Sequence, residues 1–405
     1  MTDATAQRDI SDIPAELIWD NSFDALTSEG DDPFVAVNKL RGMPPVFWAT
    51  NASFGEPGWI CTDFETISEV FQDFEHFSGE RHAAISSLVG EPVRLNPIEI
   101  DPPRHHGYRR NLNPVFTPKA LHAVIESVRA TCASLIAKFE DEGGCDFVRD
   151  FAIPFPTYVF LDLMDLPRDK ADLFMSWEDR LMRSPDRMDR VAAAREIYQY
   201  LCGHKDRQKE APTNELNRAI TQGTFDGRPL DHYEMMGMYY VLWAGGLDTV
   251  YSTLGWIMRH LATHPELQEQ LRADPELLGP AVEEFARAFS VVVTHRTVAQ
   301  DYVYKGAPLR KGDPINLPIS LANRDPAMFP DPHTIDITRN PRHITFGTGA
   351  HSCLGVHLAK RELRIVVEEF LKRFRNIRIK AGDTYRYHTG RTFGMDYLPL
   401  EWDRV

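Results

Sequence analysis

The chain's chemistry-bearing residues gather in two short stretches, and the first is Phe346-Gly347-Thr348-Gly349-Ala350-His351-Ser352-Cys353-Leu354-Gly355. Glycines at 347, 349 and 355 strip side chains from a loop that leads into a helix, so that something large and flat can approach Cys353. Loop N–H groups and the helix N-terminus favour a thiolate there. The plain alternative is a structural cysteine beside a turn, the usual fate of a lone thiol. The second stretch, Ala244-Gly245-Gly246-Leu247-Asp248-Thr249, puts two glycines inside a helical pattern, where each costs about 1 kcal/mol relative to alanine. A bare backbone lets a ligand approach. Thr249, four residues after Gly245, can reach that residue's carbonyl, and an acid followed by an alcohol can relay protons. Taken alone, the pair is equally a polar break in a buried helix.

The elements that must position these groups read as mainly α with small β-sheets, an α+β class. Short strands are expected at PVFWAT and GWICT, a helix over DFETISEVFQDF, another from Arg104 after Asp101-Pro102-Pro103, and strands again at RTVAQDYVY and PINLPIS. The best-marked helix opens with a capping arrangement at Asp231 and is expected to run unbroken to His264, where Pro265 stops it. The last helix follows Cys353. With no repeat or linker in 405 residues, a single domain over 1–405 is expected, with an extended arm over about 1–30.

A net charge of -14 argues against a nucleic-acid partner. Five scattered cysteines, Cys61, Cys132, Cys145, Cys202 and Cys353, suit a reducing compartment. The first residues lack the layout of a signal peptide, and the longest uncharged apolar run, Met235 to Leu247, is too short for a bilayer. These features point to a cytoplasmic protein without a membrane segment.

The pattern FGxGxHxCxG resembles the haem-ligand loop of the cytochrome P450 monooxygenases. Further motifs in the family's order strengthen the resemblance. Glu284 and Arg287 in AVEEFARAF share a helical face, and Arg339 in FPDPHTIDITRN takes the place of the family's third member of a structural ion cluster. DPPRHHGYRR is similar to the haem-propionate helix, which implies His105 and Arg109 as contacts, although His106 and Arg110 have the same spacing. Arg296 and His351 match two more. The resemblance implies haem b between the long central helix and the cysteine-loop helix, with Cys353 on the iron and Phe346, Gly347, Gly349, Gly355, Ala244 and Gly245 against the ring. Asp248 and Thr249 are then the catalytic proton relay. A haem-binding sensor or a peroxide-driven oxygenase of the same fold is the alternative, and neither needs that relay.

GGLDTV, CDFVRDFAIPFP, DGRP and LPLEW resemble the camphor-hydroxylase branch of the family, implying hydroxylation of a compact terpenoid or norisoprenoid at an unactivated carbon. Pocket segments implied by the resemblance are Ile85 to Ile98, Met182, Val241 to Ala244, Val291 to Thr294, and Thr392 to Phe393, with Val93, Leu95, Val241, Ala244 and Val292 as individual members. Val93 falls where the camphor enzyme has a substrate-binding tyrosine, and Arg94 beside it faces either solvent or a polar substrate group. No flavin or nicotinamide fingerprint is present. Electrons are therefore expected from a [2Fe-2S] ferredoxin, served by a separate NADH-dependent flavoprotein reductase. Arg104, Arg109, Arg110, Lys119, Lys360, Arg361 and Arg364 could form its basic docking rim. The protein is expected to be a monomer.

Overall fold

The structure, a computed structural model, describes residues 8–53, 55–80 and 85–404. The expected early strands form, and Val46, Phe47, Trp48 and Ala49 are all buried. A strand apolar at consecutive positions needs cover on both faces. It belongs to a six-stranded sheet of β1 (Ile18–Ser22), β2 (Val46–Ser53), β3 (Glu56–Cys61), β4 (Phe77–Ser78), β5 (Val293–Val298) and β6 (Pro314–Pro318). Its strand order is β1-β2-β3-β6-β5-β4. β1 runs parallel to β2, pairing Ile18 with Trp48, so the supposed extended arm is already in the sheet by Ile18. An apolar helix, Phe23–Thr27, follows it with Phe23 and Leu26 buried; burying those residues outweighs leaving the segment loose.

Helices fill most of the rest. α1 (Phe64–Gln72) starts where Asp63 accepts the Thr66 N–H, as an N-cap should. α2 (Arg104–Leu112) and α3 (Ala171–Arg183) lead toward the site. The long helix expected over 231–264 is two helices, α4 (His232–Gly246) and α5 (Asp248–Thr263). Its start is as expected, with a reciprocal capping box between Asp231 and Glu234. Its middle is not, because Leu247 adopts φ -106°, ψ -71° behind two glycines that hold the backbone weakly in helix. Pro265 closes α5 and opens the next helix at its first position. α6 (Leu278–Ala288) and α7 (Val356–Arg373), the helix after the cysteine, complete the frame. Among the described residues no helix is long and apolar enough to cross a membrane.

One core cluster joins α5 to α7 through Trp256, Ile257, Leu261, Val366 and Phe370. Another, the α3–α4 cluster, holds Phe174 and Trp177 of α3 together with Met236 and Tyr240 of α4. The site lies where α4 gives way to α5. Near the chain's end a hairpin, Arg386–His388 with Gly394–Tyr397, is tied to the N-terminal segment: the Tyr385 and Tyr387 hydroxyls donate to the Asp31 and Gly30 carbonyls, both at 2.8 Å.

The ion cluster forms as the sequence suggested. Glu284 takes two bonds from Arg287, at 2.7 and 2.8 Å, and one from Arg339 at 3.2 Å. Neither Glu284 nor Arg287 is exposed. Breaking such a pair strands a buried charge, so Glu284→Gln is expected to lower unfolding free energy by about 3–5 kcal/mol in urea titration. Arg94→Ala, which removes an exposed pair with Glu80, should cost less than about 1 kcal/mol.

Candidate functional site

The cysteine loop is a hook held from behind. The Cys353 N–H donates to the Phe346 carbonyl at 2.8 Å. Gly347 and Gly349 have φ +69° and +71°, a region costly for other residues. A Cβ on Gly349 would lie 3.2 Å from Gln72 Cγ on α1; that glycine also lets the loop pack on a neighbouring helix. A Cβ on Gly355 would stand an ordinary 4.0 Å from the Cys353 sulfur, and the Gly355 N–H is directed at that sulfur. Cys353 is exposed, although protein atoms surround it closely. Burial raises its thiol pKa, while the Gly355 N–H and the Arg109 guanidinium pull it down.

Around that hook stand basic groups, with the Asp101 carboxylate 4.0 Å from His351 Nε2 and acting on Arg296 as well. His105 is buried, and among the described residues neither ring nitrogen has a hydrogen-bond partner. His351 packs 4.4 Å from it, ring to ring, with its own Nε2 unbonded among those residues. Arg296 is 2% exposed, lies over the Phe71 ring at 5.2 Å, and has an unbonded Nε among those residues. Arg109 donates to the Ser352 carbonyl at 3.0 Å. His106 and Arg110 are exposed, whereas His105 is buried and Arg109 half-buried, so of the two pairs with this spacing on α2 it is His105 and Arg109 that turn inward.

Burial, with Arg109 alongside, pushes His105 down to about 4. Burial, with Arg296 alongside, pushes His351 to about 3. Burial lowers Arg296 to about 10. An unsatisfied buried polar group costs about 1–3 kcal/mol, a demand that a ligand carrying carboxylate oxygens would meet.

Facing the hook is the interrupted helix. Met235 to Tyr240 are buried, whereas Ala244 and Gly245 are exposed and the space above Gly245 is open. The Thr249 hydroxyl donates to the Gly245 carbonyl at 3.3 Å. Asp248 is 5% exposed. Its Oδ1 lies 3.5 Å from Arg183 Nη2, and its Oδ2 has no partner among the described residues. Arg183 in turn lies over the Tyr251 ring at 5.3 Å. Glu178, buried one turn earlier on α3, is held above the usual carboxylate range by burial and by Asp248. Sequence reasoning missed Arg183 and Glu178. Their only signal was charge on the inner face of an amphipathic helix.

A cavity of about 110 Å³ lies beside this turn. Met182, Ala244, Asp248 and Thr249 form one wall; Val292 to His295, Arg391 and Thr392 form the other. A smaller one, about 30 Å³, adjoins Asp248 through Arg183, His388, Thr389 and Arg391. Of the pocket residues expected from sequence, Met182, Ala244, Val292 and Thr392 line the larger cavity. Val93 and Leu95 instead pack inside the α3–α4 cluster, with Val241 at its edge. They reach it because Gly237 leaves room for the backbone at Arg94 and Asn96 to cross α4. Phe393 is fully buried core, and its carbonyl accepts the Trp256 indole N–H at 2.8 Å. Arg94 faces outward, 3.0 Å from Glu80. The unforeseen lining residues are His295 and Arg391, because an isolated basic residue beside a strand ordinarily reads as solvent-facing.

Comparison with known proteins gives a single answer. The profile of the cytochrome P450 family matches residues 193–386. The probable cytochrome P450 127A1 of Sinorhizobium fredii (strain NBRC 101917 / NGR234) is 34% identical over 400 residues, 96% of each chain. The crystal structure of CYP101J2 superposes with a TM-score of 0.88 at 30% identity, covering 98% of this chain and all of that one. That of CYP101C1 gives 0.86 at 28%, covering 96% and 98%. Identity of this degree, sustained over nearly the full length of both chains and carried on a shared fold, makes this protein a member of the cytochrome P450 family of haem-thiolate monooxygenases.

Proposed function

We propose that this monooxygenase hydroxylates a small, mainly hydrocarbon substrate of terpenoid or norisoprenoid size, with electrons from a [2Fe-2S] ferredoxin and a separate NADH-dependent flavoprotein reductase. Members of the family bind haem b through a cysteine thiolate. The observation that carries the reading is the anion-seeking set of His105, His351 and Arg296 beside an inwardly exposed Cys353, which fits the two propionates and the iron of that group. When bound, the haem supplies dioxygen activation, and the cysteine thiolate favours O–O cleavage.

The chain's own residues have separate tasks in this reading. Arg109, Arg296, His105 and His351 hold the propionates. The Gly355 N–H steadies the Cys353 thiolate. Asp248 borders both cavities, so its carboxylate can take a proton from the smaller polar one and pass it toward the larger. Thr249 lines the larger cavity and spends its hydroxyl proton on the Gly245 carbonyl, so its oxygen is oriented to accept a hydrogen bond from a protonated ligand there. Arg183 orients Asp248 and keeps its carboxylate paired between transfers. Met182, Ala244 and Val292 give a hydrocarbon substrate apolar contact and displace water.

The ferredoxin reading rests on the rim at the Cys353 side. Arg104, Arg110, Lys119 and Arg361 are exposed there, whereas Lys360 is committed to Glu283 at 2.7 Å and Arg109 is turned inward. The working rim is therefore smaller than the sequence suggested.

The optical spectrum of the reduced, CO-treated protein is the primary test; a strongly red-shifted Soret band is expected, and a spectrum without haem ends the reading. Arg296→Leu should quicken haem transfer to apomyoglobin by about tenfold, while Arg110→Leu leaves that rate unchanged. Thr249→Ala is expected to keep consuming NADH while releasing peroxide, with product per NADH falling several-fold; coupling equal to wild type counts against the relay. Arg110→Glu should slow reduction by ferredoxin at low ionic strength and converge with wild type as salt is raised. An unchanged rate at low salt removes Arg110 from the rim.

A further inference from the structure

A relay that starts at Asp248 has to be resupplied with protons, and the smaller cavity is the space behind it. That cavity, about 30 Å³, has Arg183, Asp248, His388, Thr389, Arg391 and Thr392 as its polar lining, and it is large enough to hold a water. Arginine stays protonated at any working pH and a threonine hydroxyl stores no extra proton, so neither loads from solvent and unloads inward. Asp248 is the recipient. His388 remains, and imidazole is the side chain that takes up and releases a proton near neutral pH. Glu178, the other acid near Asp248, is 4% exposed and has no face to solvent from which to load. The late hairpin fixes the His388 ring. Its register sets His388 opposite Gly394, and Asp396, two residues along that strand, holds Nδ1 at 2.6 Å through Oδ1. A carboxylate there keeps the proton on Nδ1 and leaves Nε2 to exchange. A Cβ on Gly394 would stand 2.6 Å from Nε2 and 2.7 Å from Ser252 Oγ, so any larger residue would push the ring off α5. Ser252 is buried four residues after Asp248, and its hydroxyl has no hydrogen-bond partner among the described residues. Asp396 is exposed and His388 half-buried; the pair therefore reaches from the surface to the cavity.

We infer that His388, held by Asp396, is the proton entry of the relay: its ring takes a proton from solvent and passes it through the smaller cavity to Asp248. The inference rests on the monooxygenase reading above and deepens it. In the transfer the imidazolium Nε2–H bond breaks, a water in the cavity carries the proton on, and the Asp248 carboxylate accepts it. The ring is then neutral, with its Nδ1 proton still on Asp396, and reloads at Nε2 from solvent. The Ser252 hydroxyl, able to donate and to accept, gives the step a fixed polar neighbour beside Nε2. The charged groups that face the ring are Asp396 on its own hairpin, Asp248 of α5, Arg183 of α3 and Arg391 from the hairpin loop. The two acids favour the loaded ring and the two arginines oppose it. An acid on each side gives the proton a partner on arrival and on departure.

The test uses the haem-loaded protein with excess reduced ferredoxin and 2-adamantanone as the probe. Consumption of NADH needs protons whether the oxygen leaves as product, peroxide or water, so it reads the relay without a known substrate. His388→Gln, which keeps a polar side chain but cannot carry a proton, should slow NADH consumption by about tenfold, and Asp248→Asn should slow it as well. The imidazolium is the loaded form, so the wild-type rate should be full below the His388 titration and fall as pH rises through it; that alkaline fall should be absent in His388→Gln. A readout apart from turnover is deuterium exchange at the His388 Cε1, followed by mass spectrometry. Its midpoint should coincide with that of the wild-type alkaline fall and move to lower pH in Asp248→Asn, where an acid facing the ring is lost. The comparison of midpoints needs only wild type, and it decides the matter if His388→Gln fails to fold. Midpoints that differ, an alkaline fall that survives in His388→Gln, or a wild-type rate in His388→Gln beside a slow Asp248→Asn overturns the inference. Failure of the monooxygenase reading is distinguishable, as a missing red-shifted CO band. With a normal CO band, a wild-type rate in Asp248→Asn removes the relay and its entry together, whereas a slow Asp248→Asn with a fast His388→Gln condemns the entry alone.

Discussion

The placement of the cysteine depends on a buried ionic knot far from any ligand. Glu284 and Arg287 neutralise each other on α6, and Arg287 Nη1 then donates to the Asn323 carbonyl at 2.8 Å. The Asn323 side chain accepts the Ile344 N–H at 2.9 Å and donates to Thr345 Oγ1 at 2.8 Å, and Thr345 returns a bond to the Ala286 carbonyl. Phe346, the next residue, receives the Cys353 N–H. From the knot to the thiol there is thus an unbroken series of short polar contacts. In a desolvated interior each member is costly to leave unmet, which makes the arrangement close to all-or-none.

The same physics acts with opposite sign around the cleft itself. Polar groups are left incomplete both on the facing helix, at Asp248 Oδ2, and around the hook, at both His105 nitrogens and the Arg296 Nε, none of which has a hydrogen-bond partner among the described residues. Open groups of this kind direct their electrostatic demand at what enters the cleft. The helix break at Leu247 belongs to this division. It exposes Ala244 and Gly245 in the middle of an otherwise buried run and places Asp248 and Thr249 at the start of a new helix.

What was legible in the sequence was mostly local. The cap at Asp231, the turn glycines at 347 and 349, and the i,i+3 pair of Glu284 and Arg287 each depend on neighbours a few residues away, so composition and spacing were enough. The interruption at Leu247 was not legible because the start at Asp231 and the stop at Pro265 bracket one continuous helical pattern, and glycine lowers helix stability without announcing a stop. Val93, Leu95 and Phe393 were misplaced for a different reason. An apolar residue near a pocket and one in the core look the same in one dimension, and only the crossing allowed by Gly237 decides which way the 93–95 segment faces. Arg183, Glu178 and Arg391 were hidden by the converse assumption, that a charged residue faces water.

The ties between the N-terminal segment and the late hairpin set an order of assembly during synthesis. Gly30 and Asp31 are made near the beginning, but Tyr385 and Tyr387, whose hydroxyls they accept, emerge only when the chain is almost finished. The same late stretch carries His388, Arg391 and Thr392 to the cavities. Helices α3 to α5 can pack while translation continues, since chains begin folding from their N-terminal parts as they emerge. The wall opposite them has to wait for the last residues. A ribosome-bound chain stopped before the hairpin would hold the cysteine hook and the interrupted helix, with the His388 to Thr392 part of the cavity wall still missing.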